Sequence, residues 1–174
     1  MQRSDAELVA AACQGDVASF GLLYERHYRM AVGVAHSRLS DVHLAEDAAQ
    51  EAFAVACRTL TTLQQGNRFP QWLGTICRRT ASRLALGRPK HDPLCEHHEP
   101  INDSAPAMLR EQILEALEQL DDTSREIVLL HYFSGLSYED IAGVVELSLP
   151  AIHGRLQRAR RRLAEILDPT GTQK

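Results

Sequence analysis

Apolar residues along this chain recur at spacings of three and four, and nowhere alternate with the period of two that marks a half-buried strand. The pattern predicts helices throughout. Ser4 and Glu7 have the spacing of a capping box for a first helix through Cys13. Asp16 can cap a longer second helix carrying Phe20, Leu23, Tyr24, Tyr28 and Val32. A third opens at Ser40 or Asp41, and Ala45, Ala48, Ala49, Ala52, Phe53 and Ala56 give it a packing face of mostly small residues. After a turn at Gln65-Gly66-Asn67, Pro70 occupies the first turn of a fourth helix, where its missing N–H costs little. This helix passes Trp72, Leu73, Ile76 and Leu84 and stops at Gly87, with Pro89 beyond.

From Gly87 to Pro106 the periodicity vanishes in a stretch holding Pro89, Pro93, Pro100 and Pro106, which reads as a linker. Helices resume near Ala107 with Leu109, Ile113, Leu117 and Leu120. Thr123 and Glu126 are expected to cap the next, which carries Ile127, Leu130 and Tyr132 and ends at Gly135. The expected fold is all-α: two small helical domains, residues 1–87 and 107–174, on a flexible tether over 88–106.

The stretch from Leu136 to Leu163 carries the most information. Ser137 and Asp140 can cap one short helix with Ile141, Ala142 and Val145 on its apolar face. Ser148 can cap another, with Pro150 in its first turn and Ile152, Leu156, Ala159 and Leu163 on one stripe. Arg155, Arg158, Arg160, Arg161 and Arg162 lie off that stripe, and no acid occurs between Leu147 and Ala164. Two capped helices with the positive charge confined to the second have the layout of a helix-turn-helix shaped for the major groove. The turn reads Val145-Glu146-Leu147 where a glycine is common, so Glu146 must avoid a left-handed conformation or bear its strain.

A net charge of −4 is unusual for a nucleic-acid binder until it is mapped along the chain. Gly66 to Lys90 holds six basic residues and no acid, whereas His91 to Glu126 holds ten acids against Arg110 and Arg125. Two basic windows therefore flank an acidic middle. Such a chain should engage DNA in two places yet bind it poorly alone, because phosphate neutralisation drives non-specific affinity. Contact between the acidic middle and the basic surfaces would mask the phosphate-binding groups, and should weaken with salt.

Hydrophobic residues make up 44% of the chain and charged residues 24%, a globular balance. No run approaches the roughly 20 apolar residues of a membrane span, and acids interrupt the N-terminus too early for a signal-peptide core. A cytoplasmic protein without membrane insertion is expected. Cys13, Cys57, Cys77 and Cys95 form no C-x-x-C pair, which favours reduced thiols over a disulfide framework. His91, Cys95, His97 and His98 could supply metal ligands, but their spacing matches no closed zinc motif, so neither metal nor other cofactor is expected.

Two sets of residues resemble a known family. Leu120-Asp121, Arg125-Glu126, Gly135-Leu136-Ser137-Tyr138-Glu139-Asp140-Ile141-Ala142 and Arg155-Leu156-Gln157-Arg158-Ala159-Arg160 resemble region four of bacterial sigma factors. Ala45-Glu46-Asp47-Ala48-Ala49-Gln50-Glu51-Ala52-Phe53 and Phe69-Pro70-Gln71-Trp72-Leu73 resemble region two. In this order, with this linker and no room for further regions, the chain resembles the minimal extracytoplasmic-function type. The resemblance implies core RNA polymerase, promoter DNA and an anti-sigma protein as partners. It implies core-polymerase docking at Asp47, Gln50 and Glu51, and −10 DNA contacts from Arg68, Phe69, Arg78, Arg79 and Arg83. It implies −35 contacts from Ser148, Ala151, His153, Gly154, Arg155, Gln157, Arg158 and Arg161. Trp72 reads as core packing before stacking platform. Arg79 and Arg83 stand where the family commonly has asparagine and aspartate, and His153-Gly154 replaces a basic residue and serine.

The alternative is a stand-alone helix-turn-helix regulator, which should bind a specific duplex unaided. An enzyme has little support, since the sequence holds no glycine-rich phosphate loop, nucleophile elbow or metal triad.

Overall fold

Helix caps locate the elements. In the computed structural model, which describes residues 3–39, 41–86, 107–132 and 134–167, Ser4 and Glu7 form the expected capping box at α1, Asp5–Cys13. The Ser4 N–H donates to Glu7 Oε2 at 2.7 Å, and the Glu7 N–H to Ser4 Oγ at 3.3 Å. Asp16 Oδ1 accepts from the N–H groups of Ala18 and Ser19 at the start of α2, Val17–Leu39. Asp41 caps α3, Val42–Thr59, through the Leu44 N–H at 3.0 Å. Pro70 lies in the first turn of α4, Phe69–Leu86. The linker, with His91, Cys95, His97 and His98, lies outside the described residues.

Helices α2, α3 and α4 pack against one another with α1 across one end. Ala45, Ala48, Ala49, Ala52 and Ala56 of α3 are all fully buried, so the helix backbones approach closely. Phe53 fills the remaining volume, edge-on to Phe20 at 6.4 Å and tilted against Tyr24 at 4.6 Å. Asp5 anchors α1 by pairing with Arg26 and with His27 Nε2 at 2.8 Å. Gly66, in the turn before α4, passes so close to α1 that an added Cβ would sit 2.8 Å from the Ala6 Cα. Of the three cysteines described, only Cys77 behaves as a core residue, its thiol pushed up to about 12 by burial, while Cys13 and Cys57 are exposed.

The second unit contains α5, Ala107–Glu118, α6, Asp122–Tyr132, α7, Tyr138–Val145, and α8, Leu149–Leu167. Ile127, Leu130, Ile141, Val144, Ile152 and Leu156 form its core. The expected cap of α6 is corrected: Asp121, not Thr123, accepts from the Ser124 N–H at 3.0 Å. Glu126 is no capping residue either, because its side chain points into the other unit.

The two units pack against each other, with Glu126 of the acidic middle meeting Arg78 of the first basic window. Helix α2 meets α6, and α4 meets α7. Six consecutive α2 residues, Met30 to Ala35, are buried, since α3, α4 and α6 cover that half of the helix. Glu126, with a side chain 3% exposed, accepts from Arg38 Nε at 3.0 Å and Arg78 Nε at 2.8 Å, and its second oxygen lies 3.0 Å from the other Arg38 nitrogen. A carboxylate taken out of water persists only when countercharges and hydrogen bonds surround it. Stripping a fully buried pair of one member costs on the order of 3–5 kcal/mol, and less here because Arg38 keeps 32% of its side chain in solvent.

Glu146 takes the left-handed conformation, with φ 60° and ψ 41°, at the end of α7. Replacing it with glycine should raise the urea midpoint by a gain of up to about 1 kcal/mol, because glycine reaches that region without a Cβ clash. The His27 imidazole is held below its ordinary pKa, chiefly by burial, which outweighs the pull of Asp5. The folded chain therefore favours neutral His27, and the unfolded chain binds the proton more readily. Stability from this group is complete above about pH 6.5 and falls as pH drops below it. Melting temperatures measured from pH 7.5 to 5.5 should decline, and H27Q should flatten that part of the decline.

Candidate nucleic-acid interface

Ser137 begins the helix-turn-helix, its Oγ accepting from the Asp140 N–H at 3.1 Å and donating to the Asp140 carboxylate at 2.6 Å. Ile141, Val144 and Val145 of α7 then bury against Ile152, Leu156 and Ala159 of α8. That stripe aims the rest of α8 outward. His153, Gln157, Arg158, Arg160, Arg161 and Arg162 are exposed, and Ala151, Gly154 and Arg155 are half-buried. Ser148 is exposed just before α8, and its carbonyl accepts from the Ile152 N–H at 3.0 Å.

Of these residues, Arg158, Arg161 and Gln157 project with the fewest constraints. Arg155 is held back: its guanidinium donates to Asp121 at 3.2 Å and reaches Ser124 Oγ at 3.5 Å. Asp121 is held below the usual carboxylate range, first by the Ser124 hydroxyl and further by Arg155. An added Cβ at Gly154 would stand 3.3 Å from the Arg158 guanidinium, so glycine leaves room for that side chain to lie along the helix. Arg161 and Arg162 are loosely paired with Glu165, at 3.9 and 3.6 Å.

Sequence reasoning missed an aromatic cluster beside this face. Arg160 Nε donates to Tyr132 Oη at 2.5 Å, and its guanidinium carbon lies 5.5 Å from that ring's centre. His131 and His153 both pack on Tyr138, at 4.9 and 4.5 Å. These rings come from α6, α7 and α8, so no local pattern joins them.

On the first unit, Arg68 is exposed, whereas Phe69 is fully buried, 5.4 Å from the His27 ring and 6.0 Å from Trp72. Phe69 is therefore a core side chain, which corrects its expected place among the DNA contacts. Trp72 is half-buried; it packs on the core and also lines an open hollow of about 240 Å³ with Thr62, Leu63, Gln64, Gln65 and Arg68. The three other arginines of this set are all engaged. Arg78 binds Glu126, Arg79 lies 3.6 Å from Glu146, and Arg83 pairs with Glu51. Asp47 and Gln50 are exposed on α3 and Glu51 is half-buried, opposite the buried Ala45, Ala49 and Ala52. Glu51 and Arg83 thus link the expected polymerase-docking face to the expected −10 face. Among the described residues no cluster of three or more His, Cys, Asp or Glu side chains is placed to hold a metal, and no helix is long and apolar enough to cross a membrane.

Residues 23–88, which include nearly all of α2 to α4, match the Sigma-70 region 2 model, and residues 110–163, within α5 to α8, match the Sigma-70, region 4 model. The RNA polymerase sigma-H factor of Pseudomonas aeruginosa is 32% identical over 97% of this chain and 96% of its own length. The ECF RNA polymerase sigma-E factor of Escherichia coli strain K12 is 28% identical over the same shares. Among solved structures, CnrH in complex with the cytosolic domain of CnrY superimposes with a TM-score of 0.74, at 28% identity, covering 97% of this chain and all of that one. The sigma factor RpoE of Bartonella quintana, crystallised with the anti-sigma factor NepR, gives 0.69 at 25% identity over 87% of this chain and 98% of that one. With a helix-turn-helix whose buried stripe turns its arginines outward, and both sigma regions matched in order, the chain belongs to the extracytoplasmic-function sigma factors, promoter-specificity subunits that bind core RNA polymerase and promoter DNA.

Proposed function

We propose that α8 reads the −35 duplex with His153, Gln157, Arg158 and Arg161, while Arg155 and Ser148 contact phosphate or orient the helix. The observation that carries this reading is the burial of Ile152, Leu156 and Ala159, which leaves these side chains on the outward face. On the same reading, Arg68 and the hollow beside Trp72 take an unstacked base of the −10 non-template strand. A hollow of about 240 Å³ lined by the Trp72 side chain, amide side chains and a cation has the chemistry for base contacts and edge hydrogen bonds. Arg78, Arg79 and Arg83 then track the strand's phosphates. Asp47, Gln50 and Glu51 form the polar patch that docks on core polymerase, within one turn of each other on α3.

The chain works in the cytoplasm, where core polymerase is, and performs no chemistry of its own. Its promoters belong to a stress or signal regulon. An anti-sigma protein holds it when the signal is absent, a reading supported by the Bartonella quintana sigma factor RpoE, whose solved structure is a complex with an anti-sigma factor.

Run-off transcription with purified core polymerase tests the assignment. The wild-type chain should direct initiation only with core present, whereas a stand-alone regulator would bind its duplex unaided. R158A should cost about 1–3 kcal/mol of promoter binding if Arg158 reads a guanine, and unchanged transcription from a −35-dependent promoter overturns that role. Replacing Asp47, Gln50 and Glu51 together with alanine should abolish co-purification with core polymerase at unchanged helicity. Normal association of the folded triple variant removes the patch from the interface.

A further inference from the structure

Helix α8 has two flanks beside its outward face, and they are equipped differently. His153 and Arg160, about two turns apart, share one line along the helix, and Arg155 and Arg162 share the other. On the second line the partners are anions: Arg155 meets Asp121 and Arg162 meets Glu165. On the first they are aromatic. Among the described residues Arg160 forms no ion pair; the hydroxyls of Tyr132 and Tyr138 hold it instead, with Nη2 reaching Tyr138 Oη at 3.5 Å.

The two tyrosines are themselves braced. The His131 ring lies 4.8 Å from Tyr132 and 4.9 Å from Tyr138, and its Nδ1 is hydrogen-bonded to the Leu136 carbonyl at 3.3 Å. Tyr138 also packs on the core, whereas Tyr132 keeps 58% of its surface in water. Burial does not account for Tyr132 at this position, but holding Arg160 does.

The chemistry of a partner decides what an arginine can still do. A carboxylate cancels much of the charge that a second anion would feel, while a phenol orients the guanidinium and leaves its charge whole. The tyrosines engage Nε and Nη2 of Arg160, which leaves Nη1 without a partner among the described residues. Arg160 also lies about three turns into α8, beyond the N-terminal turns that a recognition helix lays against base edges. A helix in the major groove, roughly 12 Å wide, has a sugar-phosphate backbone beside each flank.

We propose that Arg160 is a phosphate anchor for the −35 duplex, held ready by Tyr132 and Tyr138, and that it sets the register of α8 without reading a base. This role rests on the reading of α8 as the −35 helix. A guanidinium already oriented loses less side-chain freedom on meeting an anion than a loose one, so the tyrosines act as positioning residues for it.

Salt dependence tests the anchor, with holoenzyme assembled from the full chain and core polymerase on a promoter duplex that it transcribes. R160A should weaken binding about three- to tenfold and reduce the slope of log K against log salt by about 0.9. The loss should be the same on promoters that differ at −35, whereas R158A should change the ratio between them. R160K keeps the charge and should keep the slope, yet lose roughly threefold because an ammonium lacks the planar fork. Y132F with Y138F should also keep the slope and lose roughly threefold, because the charge stays and only its orientation is released. An unaltered slope for R160A, a loss confined to particular −35 sequences, or a double phenylalanine variant as tight as the wild type would each overturn the anchor. Should R160A fail to fold, the phenylalanine pair still decides. If R158A responds to −35 changes and R160A leaves binding intact, the anchor alone falls. If wild-type holoenzyme is indifferent to every −35 change, the reading of α8 falls and the anchor with it.

Discussion

The middle of this molecule is a helix that must be covered on every side. Met30 to Ala35 of α2 contains no polar side chain, and leaving that half-helix in water would expose apolar surface at about 25 cal/mol per Å². Helices α3 and α4 cover two of its sides and α6 covers a third. The sigma region 2 bundle alone would leave the third side open. Docking of region 4 is thus a consequence of how α2 is composed, and Gly33 within that run allows the approach to be close.

Charge then decides how the two regions meet. Arg38 and Arg78 would be left near apolar surface by such docking, and Glu126 supplies the compensating carboxylate from 88 and 48 residues away in sequence. The arrangement is a compromise between burial and desolvation. A buried ion pair is weak evidence for net stability, because desolvation offsets most of its attraction, but it is strict about geometry. It therefore specifies one way for the two regions to meet.

Region 4 itself follows a simpler rule. One buried stripe on α8 and a short capped α7 leave the remaining side chains of α8 outward, and the strained Glu146 closes the turn between the helices. The aromatic side chains of Tyr132 and Tyr138 then restrain Arg160. The arginines of α8 are consequently not equivalent: Arg155 is held by Asp121 and Arg160 by tyrosine, while Arg158 keeps its freedom along a glycine.

Most of the architecture was legible in the sequence because it is local. Ser4, Asp16, Asp41 and Ser137 cap helices through bonds spanning a few residues, and the alanine face of α3 and the Ile152–Leu156–Ala159 stripe declare their burial by spacing alone. The family motifs are local strings as well, so the order of the two regions and the location of the reading helix could be named before any coordinates. What needed the tertiary structure were the relations between distant segments. Glu126 has the spacing of a capping residue and is instead a bridge between units; Phe69 has the position of a DNA contact and is instead core. Gly33, Gly74 and Gly143 look like tolerated flaws in three helices until the opposite unit is brought against them. Spacing along a chain records which side chains share a face, and only packing decides what that face meets.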